Sequence, residues 1–264
     1  MKFTDSLKRN ITIDFPPKRI ISLVPSITEL LFDLDLDEKI VGITSFCIHP
    51  EKAINKTKIG GTKTIKFNKI DELKPDLIIA EKAENEKIAV LKLAEKYPVY
   101  IFDIHNFDDA LNMIRVIGNL TNKNANGRLI IDKITRNFIE NKIDFKQRTV
   151  FYPIWKNPFF TINNNTFINS ILEICNLKNV FADKETEYPI IDIEEIINKN
   201  PEIVFLPSEP YNFKQIDKAF FQKILPKSKI INVDGEMFSW YGSRMIYVSE
   251  YLRKLEVLIY NNLS

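Results

Sequence analysis

The stretch from about Lys123 to Lys142, KNANGRLIIDKITRNFIENK, sets the strongest limit on how this chain can fold. Leu129, Ile130, Ile134, Phe138 and Ile139 recur at helical spacing among charged residues, and no proline interrupts them, so the segment is expected to form one long helix. A passage before it recurs after it: IDELKPDLIIA (Ile70 to Ala80) matches IEEIINKNPEIVFLP (Ile193 to Pro207), with Pro75 and Pro201 at equivalent points. In both places an acidic helix breaks at a proline and runs into an apolar, β-favouring strand, the order of an α/β unit. The expected fold is α/β: two similar α/β lobes with mostly parallel sheets, joined by one long inter-lobe helix. The expected bounds are 1–121 for the first lobe, 122–143 for the helix and 144–264 for the second lobe. Two matched lobes suggest a ligand held between them.

Length and charge narrow the function. The 264 residues suffice for two lobes with proper cores, and 37 basic against 35 acidic side chains leave a formal net charge of only +2. That balance argues against a nucleic-acid partner, which would want a concentrated basic surface. The seven glycines include one adjacent pair, Gly60-Gly61, without the spacing of a phosphate loop. The N-terminal residues hold no apolar core of secretory length and no window approaches a membrane span, so a chain that is not membrane-spanning is expected, and on this ground alone either a cytoplasmic one or a mature form whose leader has been removed. Cys47 and Cys175 fall on opposite sides of the long helix and are not expected to pair.

Along the chain, Phe3 to Asp14 suits a short hairpin, and Arg19 to Val24 a buried strand. Ser26 with Glu29 reads as a capping box opening a helix whose apolar face is Leu30, Leu31 and Leu34. A strand at Ile40 to Ile43 is followed by alternating helices and strands: 66–73, 77–80, 84–96, 99–102 and 108–120. After the long helix, strands are expected at 149–154, 203–206 and 229–233, with helices from Phe167 to Cys175 and from Met245 to Asn262. WKNPFFTINNNT, beginning at Trp155, suits neither core helix nor core strand. Its Trp155, Phe159 and Phe160 either face a ligand or anchor the loop from beneath. DGEMFSWYGSR, from Asp234 to Arg244, crowds acid, aromatic and arginine side chains just past a strand's carboxyl end, where open α/β sheets bind ligands.

Catalysis finds little support. Cys47 near His49 is the one candidate dyad, and a zinc site would need more ligands than these two and His105. Asp234 and Glu236 have no spacing that fixes a carboxylate pair. Aromatic loops at strand ends in both halves suit a large, flat, partly apolar ligand, and binding is favoured over an enzyme that uses Cys47 and His49.

RIISLVPSITELLFDLDLDEKIVGITSF, IDELKPDLIIA and NPFFTINNNTFINSILEICNLKNVFAD, in that order, resemble the cobalamin and iron-siderophore class of periplasmic substrate-binding proteins, most of all its cobalamin-binding branch. The resemblance runs from about Pro17 to Leu255. It implies no catalysis, no intrinsic cofactor, a cobalamin-type corrinoid or ferric chelate as ligand, a periplasmic location, a monomer, and delivery to an ABC transporter permease. A carrier or sensor without a transporter is the alternative. Carried over by position, the ligand-binding residues are Pro25, Ser26, His49, Phe160, Tyr188 and Glu236, with Phe238, Trp240, Tyr241 and Arg244 of the same loop; Phe46, Lys63 and Trp155 are expected beside them, and His49 is a candidate contact to a chelated metal. Lys63, Thr64 and Lys82 stand where the family has aromatics, which makes that side more basic. Transporter docking falls to Glu194 on the second lobe. On the first lobe Asn68 holds the matching position, and Asp71 or Glu72 would substitute for it.

Overall fold

The computed structural model describes residues 1–261. It opens with a hairpin, β1 (Lys2–Thr4) and β2 (Asn10–Thr12), closed by Asp5, which holds Arg9 through two charged bonds of 2.8 and 2.7 Å. There follow β3 (Ile20–Ser22), α1 (Pro25–Asp33), β4 (Ile40–Ile43), α2 (Phe67–Leu73), β5 (Leu77–Glu81), α3 (Lys87–Ala94), β6 (Val99–Phe102) and α4 (Phe107–Thr121). Next come the long helix α5 (Asn124–Asn141), β7 (Thr149–Phe151), β8 (Phe159–Phe160), α6 (Phe167–Ile174), β9 (Lys178–Asn179), β10 (Ile190–Ile191) and α7 (Ile193–Lys199). The chain ends with β11 (Ile203–Pro207), α8 (Gln215–Ile224), β12 (Lys229–Val233), α9 (Glu236–Ser239) and α10 (Met245–Asn261).

The chain folds as two α/β units with the same plan. In the first, four parallel strands run in the order β4-β3-β5-β6; in the second, the order is β9-β7-β11-β12, again all parallel. The central strands β5 and β11 are buried along their whole length, as a strand covered on both faces must be. Each buried aliphatic side chain there stabilises its unit by about 1.5–3 kcal/mol. The second core is the more aromatic: Phe151 meets Phe181 and Phe221 edge-on at 5.5 and 5.9 Å.

The recurrence seen in the sequence is structural. α2 ends on Lys74 and α7 on Asn200, both left-handed (φ 45° and 43°), and Pro75 and Pro201 follow. The next residue, an acid, ties the incoming strand to the chain at or just ahead of the start of the first strand of its sheet. Asp76 accepts from the amides of Lys18 and Arg19 at 2.7 and 2.8 Å, and Glu202 accepts from that of Thr149 at 2.8 Å.

The first unit comprises 1–104, 108–135 and 240–246, and the second 105–107, 136–239 and the chain from Tyr247 onward. Helix α5 passes from the one to the other at Thr135, and Trp240–Ile246 groups with the first unit from within the second half of the sequence. On α5 the buried stripe is Gly127, Ile130 and Ile134, continued by half-buried Phe138, whose ring meets Phe107 at 4.9 Å. Leu129 and Ile139, expected on the same face, are exposed because they stand about a quarter-turn or more off that stripe. Among the described residues no helix is long and apolar enough to cross a membrane.

Candidate functional site

In the first unit the site begins where β3 hands over to α1. Pro25 occupies the first helical position, where its missing amide costs nothing, and extended Val24 is the N-cap with no side chain to contribute. The expected Ser26–Glu29 capping box is therefore corrected. Ser26 lies buried inside the first turn, and the Glu29 carboxylate turns to Arg244, accepting from Nε at 2.8 Å and Nη2 at 2.7 Å. This is the planar fork that suits guanidinium and carboxylate, and both side chains are nearly withdrawn from solvent. Burial raises the Glu29 carboxyl above its ordinary range, and its bonds to Arg244 work against that rise. The Arg244 guanidinium lies over the Trp240 ring, 4.7 Å from its centre, and the half-buried His49 ring meets Trp240 edge-on at 5.5 Å. Gly242, at φ +106°, supplies the left-handed turn that brings this loop against the carbonyl of Ser26.

Around these lie other residues singled out from the sequence. Phe46 is exposed, and its ring lies against Gly61, where an added Cβ would come within 3.2 Å of it. Gly60, at φ +106°, turns the loop so tightly that a Cβ there would meet the Thr64 carbonyl oxygen at 2.2 Å, which gives the glycine pair a structural purpose. Lys63 is exposed and its Nζ donates to the Ala83 carbonyl. Asn85 stitches the same region together by donating to the carbonyls of Leu23 and Thr62. Glu81, at the carboxyl end of β5, is buried, and its Oε2 accepts from the amides of Ala83 and Glu84, both at 2.8 Å. Desolvation pushes this carboxyl up to about 7.

Cys47 is buried, with its thiol between the hydroxyls of Thr28 (3.1 Å) and Thr44 (3.2 Å), and burial raises its pKa. A nucleophilic thiol needs the opposite shift, so the Cys47–His49 enzyme alternative loses its chemistry. Among the described residues no group of three or more histidines, cysteines and acids is arranged to hold a metal ion.

In the second unit the aromatic segment after β7 splits three ways. It doubles back as a tight turn in which the Phe160 amide donates to the Trp155 carbonyl, and β8 then pairs antiparallel with β10. Phe159 joins the core, while Phe160, one residue on and so on the opposite face, is half-buried. Trp155 stays 45% exposed, edge-on to Tyr211 at 5.6 Å, and Tyr188, ahead of β10, is 41% exposed. Glu236 opens α9, half-buried, with its amide donating to Asp234. Phe238 is fully buried among Phe205, Tyr152 and Tyr251, so its expected contact with a ligand is corrected: it is a core residue that anchors the loop. Trp240 and Tyr241 are also almost wholly buried.

Of the expected docking acids, Glu194 lies exposed in the first turn of α7. Counting back from the paired prolines, Asn68 on α2 stands where Glu194 stands on α7. Asp71 is exposed but engaged, accepting from the Tyr97 hydroxyl and pairing with Lys96 at 2.7 Å, which holds its carboxyl below the usual range. Glu29 was not anticipated as part of the site. The available signal was an acid set in the apolar run SITELLF, a position that needs a buried partner.

Comparison with known proteins follows the same outline. A vitamin B12-binding protein of Vibrio cholerae is 28% identical over 199 residues, 72% of this chain and 71% of the relative. An uncharacterized ABC transporter substrate-binding lipoprotein, YvrC of Bacillus subtilis, is 26% identical over 256 residues, 92% of this chain and 81% of the relative. The crystal structure of a possible iron-binding (periplasmic solute-binding) protein from Staphylococcus epidermidis superposes with a TM-score of 0.75 at 28% identity, covering 93% of this chain and 99% of that one. The family model for periplasmic binding proteins matches residues 20–225, and the chain belongs to that family, whose members bind solutes and do not transform them.

Proposed function

We propose that this chain is the substrate-binding component of an ABC-type importer and that its ligand is a cobalamin-like corrinoid or another planar metal chelate. The observation that carries this reading is the set of large aromatic side chains left in solvent on loops at or near strand ends: Phe46 (60% exposed) after β4, Trp155 after β7 and Tyr188 before β10. Most of the other rings are buried or half-buried, Phe15 and Tyr247 being exposed as well, and leaving these three out carries a cost that stacking on a flat ligand offsets. A relative named a vitamin B12-binding protein and a structural neighbour described as a possible iron-binding protein are in keeping with a metal-containing ligand. His49, half-buried against Trp240, has the donor chemistry to meet a chelated cobalt or iron, and Lys63 offers a charge to the ligand's rim. Glu194 is the residue proposed to dock the second unit on a permease, with Asp71 in that role on the first. A periplasmic location and a monomeric state follow the family.

The test is titration of the purified protein with cyanocobalamin, cobinamide, haemin and a ferric hydroxamate, followed by visible absorbance and tryptophan fluorescence. Saturable binding of at least one is expected, weakened about tenfold by Trp155→Ala and by Tyr188→Ala, in line with an aromatic contact of about 1.5 kcal/mol. Absence of any response to all four would overturn the reading.

A further inference from the structure

The β8–β10 pairing fixes which side chains of the second unit share a face. Ile190 stands directly opposite Phe160 in the antiparallel register, so the two point to the same side, while Phe159 and Ile191 point to the other and are buried in the core. The ladder continues past the two strands: the amides of Thr161 and Asn163 donate to the carbonyls of Pro189 and Glu187. That continuation sets Tyr188, two residues before Ile190, on the Ile190 side. On the other flank Trp155 bridges antiparallel to Phe160 and shares its side, whereas Lys156, next in the chain, reaches the Phe220 ring that stacks on Phe159. Trp155, Phe160, Ile190 and Tyr188 therefore line one uncharged apolar face, and Ile190, 59% exposed, is its most open member.

The size of this face bears on what covers it. With more than two-fifths of Tyr188, Trp155 and Ile190 in solvent, it offers on the order of 300 Å². A stable protein partner covers about 800 Å² on each side, so an occupant of small-molecule size fits better. A tetrapyrrole-type macrocycle presents an apolar ring face that such side chains can cover. An open-chain ferric chelate presents a shell of oxygen ligands, whose desolvation against these side chains brings no hydrogen bond in return.

We propose that Ile190 is a ligand-contact and specificity-determining residue: opposite Phe160, it completes the apolar face on which the ring of a macrocyclic chelate lies, and it disfavours open-chain ferric chelates. The inference narrows the ligand-binding reading above and rests on it.

The experiment titrates cyanocobalamin, cobinamide, haemin and a ferric trihydroxamate against the wild-type chain, Ile190→Val, Ile190→Asn and Ile216→Ala, followed by visible absorbance. Ile216, an exposed isoleucine of α8 that is not part of this face, is the control. Wild type is expected to bind at least one macrocycle more tightly than the hydroxamate. Ile190→Asn should weaken that macrocycle about five- to tenfold, in line with lost apolar contact over half a side chain, and should leave the hydroxamate within about twofold. Ile190→Val and Ile216→Ala should both stay within about twofold of wild type, and all three variants should keep the wild-type urea midpoint, because the substituted side chains are exposed. Unchanged macrocycle affinity in Ile190→Asn would overturn the proposal, as would equal losses for macrocycle and hydroxamate. If none of the four chelates binds wild type, the ligand reading fails and takes this inference with it. If a macrocycle binds and Trp155→Ala weakens it while Ile190→Asn does not, the reading stands and this inference alone falls.

A second measurement needs no ligand. Bimane attached at Ile190→Cys is quenched by contact with a neighbouring tryptophan, and the two native cysteines are buried, which directs the label to the new thiol. Trp155→Phe should raise the bimane emission at least twofold, and no rise would overturn the shared face.

Discussion

Among single residues, Glu81 carries the sharpest consequence for pH. Its carboxyl sits buried at the end of β5 with two backbone amides on one oxygen, and desolvation raises its pKa from an ordinary 4.5 to about 7. Between those two values the folded chain binds more protons at this site than the unfolded chain, so stability falls as pH rises through the window. By pH 8 both states are ionised and the buried charge is held at full cost. Glu81→Gln removes the titration while keeping an oxygen for the two amides. Its stability relative to wild type is therefore expected to improve by roughly 2–3 kcal/mol between pH 5 and pH 8, measured by urea unfolding at each pH. A constant difference would show that Glu81 titrates near its unfolded value. Nothing in the string LIIAEKAEN marks Glu81 as buried, because its burial depends on loops that converge from distant parts of the chain. Glu29 differs: its apolar neighbours were visible, but the partner that explains it stands 215 residues away, and a local capping rule accounted for it first.

At the scale of elements the sequence was far more legible, because periodicity and proline punctuation are local. The hairpin, the strands of the first sheet, β7, β11 and β12 of the second and the helices from α2 to α7 lie where pattern put them, within a few residues at the ends, while β9, α8 and α9 were not expected. The doubling of helix, left-handed cap, proline, acid and strand was readable before any coordinates. What was not readable was the short β8–β10 pairing, since two-residue strands have no period to detect. The repeated cap yields a prediction of its own. Lys74 and Asn200 both hold φ near +45°, which a β-carbon opposes, and asparagine tolerates that region better than lysine. Lys74→Gly is expected to stabilise the chain by about 0.5–1 kcal/mol and Asn200→Gly by less, both read as a shift in urea midpoint at constant slope. Equal gains at the two sites would mean that residue type does not matter at this cap.

The whole molecule turns on how the chain is shared between its two units. Helix α5 leaves the first at Thr135, yet Trp240–Ile246 returns to it before α10 continues in the second. That returning loop supplies Arg244 to Glu29 and sets Gly242 close to Leu30 and Met113, both fully buried. The first unit is thus incomplete as a contiguous piece of sequence. In the full chain, Glu29→Gln leaves the buried Arg244 without its countercharge and is expected to cost about 3 kcal/mol. In a fragment of residues 1–135 the arginine and the loop over α1 are both gone, so Glu29 has neither partner nor cover. The same substitution should then change stability by less than about 0.5 kcal/mol, while the fragment itself unfolds at lower urea than the first transition of the full chain. A synthetic peptide spanning residues 236–250 should restore part of the loss to the fragment with Glu29 and less to the fragment with glutamine. If Glu29→Gln cost the fragment as much as the full chain, the contribution of Glu29 would lie within α1 and its neighbours, and the returning loop would be a passenger on the first unit.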